Sequence, residues 1–525
     1  MGLATRVKVT SVFLVILATA AVWSWSRAVF GQGLCSDLCG PSRSLIPSYT
    51  TASQGDFSTG AALVDIDKDR DRLPDLVLSN GNDMSPQALT VYYNRRGFSD
   101  ILFNLRPDWY SDEIQYMGHL AVGDVNGDGW MDVAVAVVWD HRQAFGTGGV
   151  EVFLNHGGTL EKRASYRTAG GYYTAGCALG DVDADGDLDL VVPVMLEGRR
   201  DNNPAIEEGP SFFVRVEGLR PGRALIYLNH SGELSRTPAW ISEEGIVAGD
   251  ALVADVNQDG WMDVGFAGDH TQVYFGDPKL LKTQPVPIPI KPGWVSSDEH
   301  SFSYSLDAGF PGEVDPSSVT PSPLGKGLMV VVSSGCGPTP CTTSRFLLYQ
   351  PDRSTEPVWS SKLAANASKL ILADLNGDKY LDLAANQWGA TFQGTPLWIF
   401  FGKAAGFPTD PDEQSQKCRV GEALAVAQLF PESPLTATHT FKGVHPAAVL
   451  TLPERWIRSI EKVVRDGRRL ATNEWAWTPQ SNWISLAQPL MPGESVEVEY
   501  VLPNGLSLAE AVWQPQNGSN VYTTF

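Results

Sequence analysis

Residues 181–189 read DVDADGDLD, which sets carboxylates at Asp181, Asp183, Asp185 and Asp189 with a glycine at 186. Acids at every second position followed by glycine are what a tight oxygen-ligand loop needs. Alternate side chains turn inward, and the glycine takes a backbone conformation that other residues resist. Without a cation such acids only repel, by roughly 1 kcal/mol for a pair about 4 Å apart even in bulk water. The chemistry this spacing could do is the binding of a hard divalent ion, and the loop predicts calcium, with the carbonyl of Asp187 as a further ligand.

The pattern returns along the chain. Residues 124–132 (DVNGDGWMD) offer Asp124, Asn126, Asp128 and Asp132 with the carbonyl of Trp130. Residues 255–263 (DVNQDGWMD) offer Asp255, Asn257, Asp259 and Asp263 with Trp261, and 374–382 (DLNGDKYLD) offer Asp374, Asn376, Asp378 and Asp382 with Tyr380. Lys379 stands where the other loops have glycine, which costs about 1 kcal/mol if the left-handed geometry is kept and predicts weaker binding there. Residues 65–75 (DIDKDRDRLPD) are two longer, so the set is Asp65, Asp67, Asp69 and Asp75, or starts one acid later at Asp67. A loop that supplies all its own ligands predicts a structural ion, since catalytic metals keep a position open. The bland reading is an acidic turn facing solvent.

Something must hold these loops at regular intervals. First acids recur at spacings of 57, 74 and 119 residues, the last being two repeats long. A period near 60 containing several short strands predicts a propeller blade. Each unit reads as an apolar strand, the acidic loop, a second apolar strand and an aromatic-rich third strand. The third strands are LTVYYN, VEVFLN, ALIYLN, QVYFG, FLLYQ, LWIFFG and NVYTTF, which makes seven. The fold class expected is all-β, a seven-bladed β-propeller. The fifth unit has VDPSSVTPSPLGKG in place of the acidic loop, and the seventh has Gln428 where the first acid should stand. Between the first and second strands of the seventh unit lie about six short alternating strands with a DG hairpin at Asp466 and Gly467, which suit a small immunoglobulin-like sandwich. The expected layout is a signal or anchor over 1–33, propeller over 42–435, the inserted sandwich over 436–503, and the end of blade seven over 504–525. SLIPSYT, from Ser44, is expected to supply the outer strand that closes the ring.

These loops and strands resemble the FG-GAP repeat family in its bacterial VCBS-type branch. The resemblance implies the seven-bladed propeller and cation loops of the integrin α-subunit head. It implies little about activity, because propellers serve as lectins, adhesion modules, lyases and scaffolds alike.

The net charge of −21 argues against a nucleic acid as partner, since that binding is dominated by counterion release at Lys and Arg. Arg6 and Lys8 precede an apolar run from Val9 to Trp25, a secretory signal or a retained membrane anchor, and either places the folded part outside the cytoplasm. Six cysteines fit an oxidising compartment. Cys336 and Cys341 flank a GPTP turn that would bring them within bridging distance, Cys35 and Cys39 form a second candidate pair, and Cys177 and Cys418 read as buried thiols.

The connections from second to third strand lie on the face away from the acidic loops. Trp139, Trp388 and Trp513 sit there, with Tyr172 and Tyr173 in a blade connection on the same side and a long excursion over 196–223. Such aromatics suit a glycan or protein ligand, or equally the packing of blade on blade. Arg455, Arg458, Lys462, Arg465, Arg468 and Arg469 could meet an anionic surface, or decorate a solvated strand pair with Glu454, Glu461 and Asp466. No HExxH, GxSxG or defensible Ser-His-Asp set is present, so a binding or adhesion module is the first expectation and a carbohydrate-active lyase or hydrolase the alternative.

Overall fold

A computed structural model describes residues 43–522 apart from 46, 53–54, 68–71, 83, 97–100, 141–147, 199–218, 298–300, 310–326, 335–343, 352, 363, 365, 390–393, 405, 416–418, 431–434 and 514–517. Its first strands are Ser58–Val64, the second half of Trp109–Gly123, Ala178–Gly180, Asp250–Ala254, Ser301–Gly309, Ala367–Ala373 and Gly421–Ala427. Each begins a four-stranded antiparallel sheet, and these innermost strands touch one another in cyclic order, the last against the first. The result is a closed ring of seven blades. Trp109–Gly123 is long because its first half is the outer strand of blade one and its second half the inner strand of blade two.

Tyr49–Thr50 pairs with Asn520–Tyr522 as the outer strand of blade seven, so the two ends of the described chain share one sheet. Just upstream, Arg43–Leu45 adds in parallel to Glu413–Ser415 at the edge of blade six. Blades pack face to face, so middle strands such as Asp75–Asn80 and Gly149–Phe153 are buried on both sides. Toward the axis there is little room. A Cβ on Gly180 would stand 2.4 Å from Val253 Cγ1 of the next blade, and one on Gly123 would stand 2.6 Å from Leu188 Cδ1.

Residues 435–502 leave blade seven after its first strand and form two further sheets. Leu435–Lys442, Ser495–Leu502, Ser459–Arg465 and Arg468–Arg469 make one; Ala447–Thr451, Trp483–Leu490 and Trp475–Ala476 make the other. Val463, Val496 and Val498 of the first meet Leu450, Ile484 and Leu486 of the second in a common core. Gln428 ties the two junctions: its Oε1 accepts the Asn504 amide at 3.0 Å, and its Nε2 donates to the Phe430 carbonyl at 3.0 Å.

This insert docks on the acidic-loop face. Trp483 Nε1 donates to the Val253 carbonyl at 3.0 Å, Trp456 Nε1 to the Leu372 carbonyl at 2.8 Å, and Arg455 pairs with Asp307 at 2.7 Å. The amides of Ala448 and Val449 both reach the Gly260 carbonyl, inside the loop of blade four. Cys177 is buried and free; the proposed pairs Cys336–Cys341 and Cys35–Cys39, and Cys418, lie outside the described residues. So do the leader over 1–33 and most of the altered loop of blade five. No helix among the described residues is long and apolar enough to cross a membrane.

Candidate metal loops and the faces they divide

The four nine-residue loops fold alike because they share one hydrogen-bond scheme. The first acid accepts the amides of the fifth and sixth residues: Asp124 takes Asp128 and Gly129, Asp181 takes Asp185 and Gly186, Asp255 takes Asp259 and Gly260, and Asp374 takes Asp378 and Lys379. The fifth acid accepts the amide of Trp130, Asp187, Trp261 or Tyr380 at 2.9–3.0 Å. The sixth residue is left-handed in every case, at φ +88, +96, +87 and, for Lys379, +73. The fourth residue is left-handed too, and only two of the four, Gly127 and Gly377, are glycine; the others are Ala184 and Gln258.

The ninth acid does more than face an ion. Asp132, Asp189, Asp263 and Asp382 are fully buried. One oxygen of each accepts the amide of the loop's second residue at 2.8 Å. The other accepts the amide that ends the third strand, from Asn155, Asn229, Gly276 or Gly402. Asp75 repeats this with Ile66 and Asn94. These carboxylates staple three strands together as well as lining the loop.

Oxygens of Asp181, Asp183 and Asp189 lie within 4.8 Å of one another, as do those of Asp65, Asp67 and Asp75. Asp65 and Asp67 both converge with Asp75, an arrangement that fits a set beginning at Asp65; Asp69 lies outside the described residues. Counted back from Asp75, Arg72 holds the glycine position at φ +52. Burial pushes Asp181 up to about 7, with Ser485 of the insert working the other way, and pushes Asp183 up to about 8, helped by the charges of Asp185 and Asp181. Burial likewise raises Asp132 and Asp382 to about 7. Asp183 Oδ1 is buried with no hydrogen-bond partner. An unpartnered buried oxygen among converging acids fits a hard cation.

The third-strand asparagines were readable as letters but not as a device. Asn155 Nδ2 donates to the Ile66 carbonyl in the loop of blade one, and Asn229 Nδ2 to the Val125 carbonyl in the loop of blade two. Asn94 Nδ2 reaches the Leu429 carbonyl of blade seven. Each side chain latches its own blade to the preceding loop. The signal was the shared Asn that ends YYN, FLN and YLN.

On the opposite face the described aromatic side chains are taken up in packing. Tyr172 is buried, its hydroxyl bonded to Thr168 Oγ1 at 2.8 Å and Tyr227 at 3.1 Å, and Tyr173 packs with Val138 and Met195. They serve the core and one short sheet with Leu196–Gly198 and Leu219–Pro221, the base of the long excursion. This corrects their expected role as ligand contacts, since burial leaves no ring face to offer. Trp388 is half-buried, edge-on to Tyr304 at 4.5 Å and bonded to Glu422. Trp513 is half-buried against Phe57, and Trp139 ends the second strand of blade two. The arginines of the insert are also engaged: Arg455 with Asp307, Arg458 with the Arg72 carbonyl, Arg465 with Glu494, Arg468 in a fork with Glu474, and Arg469 with the Glu461 carbonyl. They are held by internal partners rather than massed for an anionic surface.

A model of the FG-GAP-like repeat matches residues 67–135 and 136–192, which are blades one and two and the start of three. Residues 67–192 carry two FG-GAP-like repeats within an all-β propeller. Comparison with curated proteins gives no match. Among solved structures, the crystal structure of BBS1N in complex with ARL6DN is similar at 10% identity over 90% of this chain and 99% of that one, with a TM-score of 0.41.

Proposed function

We propose that this FG-GAP-type propeller is an exported, calcium-stabilised binding or adhesion module that takes a glycan or protein ligand on the face away from its acidic loops. The observation that carries the calcium part is the cluster in blade three, three carboxylates converging with Asp183 Oδ1 left without a partner. Asp181, Asp183, Asp185 and Asp189 would hold the ion there, with the matching residues of the loops at 65, 124, 255 and 374 holding others. Bound calcium supplies the positive charge that lets neighbouring carboxylates ionise together. The protein's own part is positional: the first and fifth acids order the turn, and the ninth ties it to the sheet.

The choice of face follows from the insert, which covers the loops of blades three and four and so favours the other end for a ligand. Export rests on the charged and apolar N-terminal pattern of residues 6–27. The test is a glycan array and a pull-down of surface proteins, run in calcium and in chelator. Binding without turnover supports the proposal; a melting midpoint that chelator leaves unmoved overturns its calcium part. A second reading, a carbohydrate-active lyase or hydrolase, draws on the convergence of His119 and Asp250 in the channel. Cleavage of any bound sugar would decide for it.

A further inference from the structure

The positions five residues ahead of the acidic loops, or of Gln428 in blade seven, lie on or just before the inner strands. In blades one, three and seven these are Gly60, Gly176 and Ala423; in blades two, four and six they are His119, Asp250 and Lys369. The ring brings these three together. Lys369 Nζ donates to Asp250 Oδ2 at 2.5 Å, although blade five stands between their two blades. His119 Nδ1 lies 4.0 Å from Asp250 Oδ1, too far for a direct hydrogen bond, and is buried with no partner. All three line a cavity of about 160 Å³ whose walls are otherwise largely Ala, Leu, Val and Ile. Arg455, Trp456 and Trp483 of the insert line the same cavity at its loop end.

We propose that His119, Asp250 and Lys369 form a subsite for a hydroxyl-bearing ligand, a polyol or one terminal sugar ring, entered from the face opposite the acidic loops. It rests on the ligand-binding reading above but on none of its calcium. Charge argues for hydroxyls. Asp250 and Lys369 neutralise each other, and burial, with Lys369 beside it, lowers the His119 pKa and keeps the ring neutral near pH 7. A cation would meet Lys369 and an anion would meet Asp250. A hydroxyl both donates and accepts, so it can donate to Asp250 Oδ1 and accept from His119 Nδ1 when that nitrogen carries the ring proton. Size agrees. An engineered cavity of about 150 Å³ admits benzene, so this one suits a single small ring rather than a peptide. The side chains of His119 and Lys369 keep 14% and 20% of their surface exposed, while the insert lines the loop end of the cavity.

The test is calorimetric titration of the full chain in calcium with glycerol, myo-inositol, glucose, galactose and mannose, and with acetate and inorganic phosphate as ionic probes. The wild type is compared with the paired substitution Asp250→Asn and Lys369→Met, and separately with His119→Phe, melting curves reporting that each is folded. At least one polyol should bind the wild type and weaken tenfold or more in whichever variants fold, with no heat from acetate or phosphate. Should both fail to fold, His119→Gln carries the same expectation. Silence from every polyol at millimolar concentration, preference for an ionic probe, or polyol binding that the folded variants leave intact would each overturn it. If whole glycans still bind on the array while small polyols do not, the subsite falls and the broader ligand reading stands.

Discussion

The loops of blades three and six share a fold and differ in how they tolerate their own charge. In blade six the third residue is Asn376, whose Nδ2 donates to Asp378 Oδ2 at 3.1 Å; Asn126 and Asn257 do the same in blades two and four. In blade three the third residue is Asp183, which has no amide to give, and its Oδ1 is left without a partner. Blade three is also covered: a Cβ on Gly186 would stand 3.0 Å from Ala487 of the insert, whereas Lys379, its counterpart in blade six, is exposed. An internal donor lets a loop stand without a metal. The all-acid, covered loop is the one that most needs an ion, and one carboxamide separates the two regimes.

Metal removal should expose that difference most. Calcium at a hundredfold excess over Kd stabilises by about 2.7 kcal/mol per site, so chelation should lower the melting midpoint by the sum over occupied loops. Asp183→Asn should remove more of this calcium-dependent gain than Asp378→Asn, and it should raise the midpoint of the metal-free protein. Equal responses would break the comparison. The pH dependence of metal-free protein has a definite sign. Burial raises Asp183 and Asp181 to about 8 and about 7 in the fold, so the folded state holds protons that the unfolded chain has released. The contribution of these two groups to stability is then greatest below about pH 4, the ordinary carboxylate range, and declines as pH rises toward 8. A midpoint that climbs over that range, followed by calorimetry, would contradict it.

Next in size is loss of the ninth acid. Asp189→Ala strands the amides of Val182 and Asn229 in a buried site, and an unsatisfied buried group costs about 1–3 kcal/mol. Roughly 2–6 kcal/mol is expected for this variant and for Asp382→Ala, even in chelator, because the staple does not depend on the ion. A variant silent in chelator, by urea unfolding, would show the ninth acid to be only a ligand. Smaller again is Asn229→Ala. It removes donors to Val125 and Leu188, and about 1–3 kcal/mol should be lost from the junction of blades two and three. Blade six, with Gly402 at that position, has no such latch to lose.

What could be read from the sequence divides along the same line. The acidic loops, the third strands and the place of the interruption in blade seven were legible because each is written in consecutive residues. What stayed hidden joins segments far apart in the chain. Asn229 reaches a carbonyl 104 residues away, and His119, Asp250 and Lys369 become neighbours only once the ring is closed. Tyr172 and Tyr173 looked like ligand contacts because an aromatic pair in a connection is ambiguous until the neighbouring blade is in place. The docking of the insert on the loops of blades three and four was equally invisible, since Ala447 and Ala487 carry no mark of what they face.

The smallest effect is the most direct probe of blade six. Lys379 holds φ +73 where the matching residues of blades two to four are glycine. A side chain in that conformation costs roughly 1 kcal/mol, and Lys379→Gly relieves it in the folded state while giving the unfolded chain more freedom, which offsets part of the gain. The net change without calcium should therefore be within about 1 kcal/mol of zero. With calcium the balance shifts, because losing the lysine also removes a positive charge from beside Asp374 and Asp378, whose oxygens would hold the ion. Affinity at this loop should rise severalfold, read by titration of a variant in which Asp183→Asn has already weakened blade three. An unchanged affinity would mean that strain and charge at the sixth position do not set binding, and that the carboxamide at the third position alone separates the two loops.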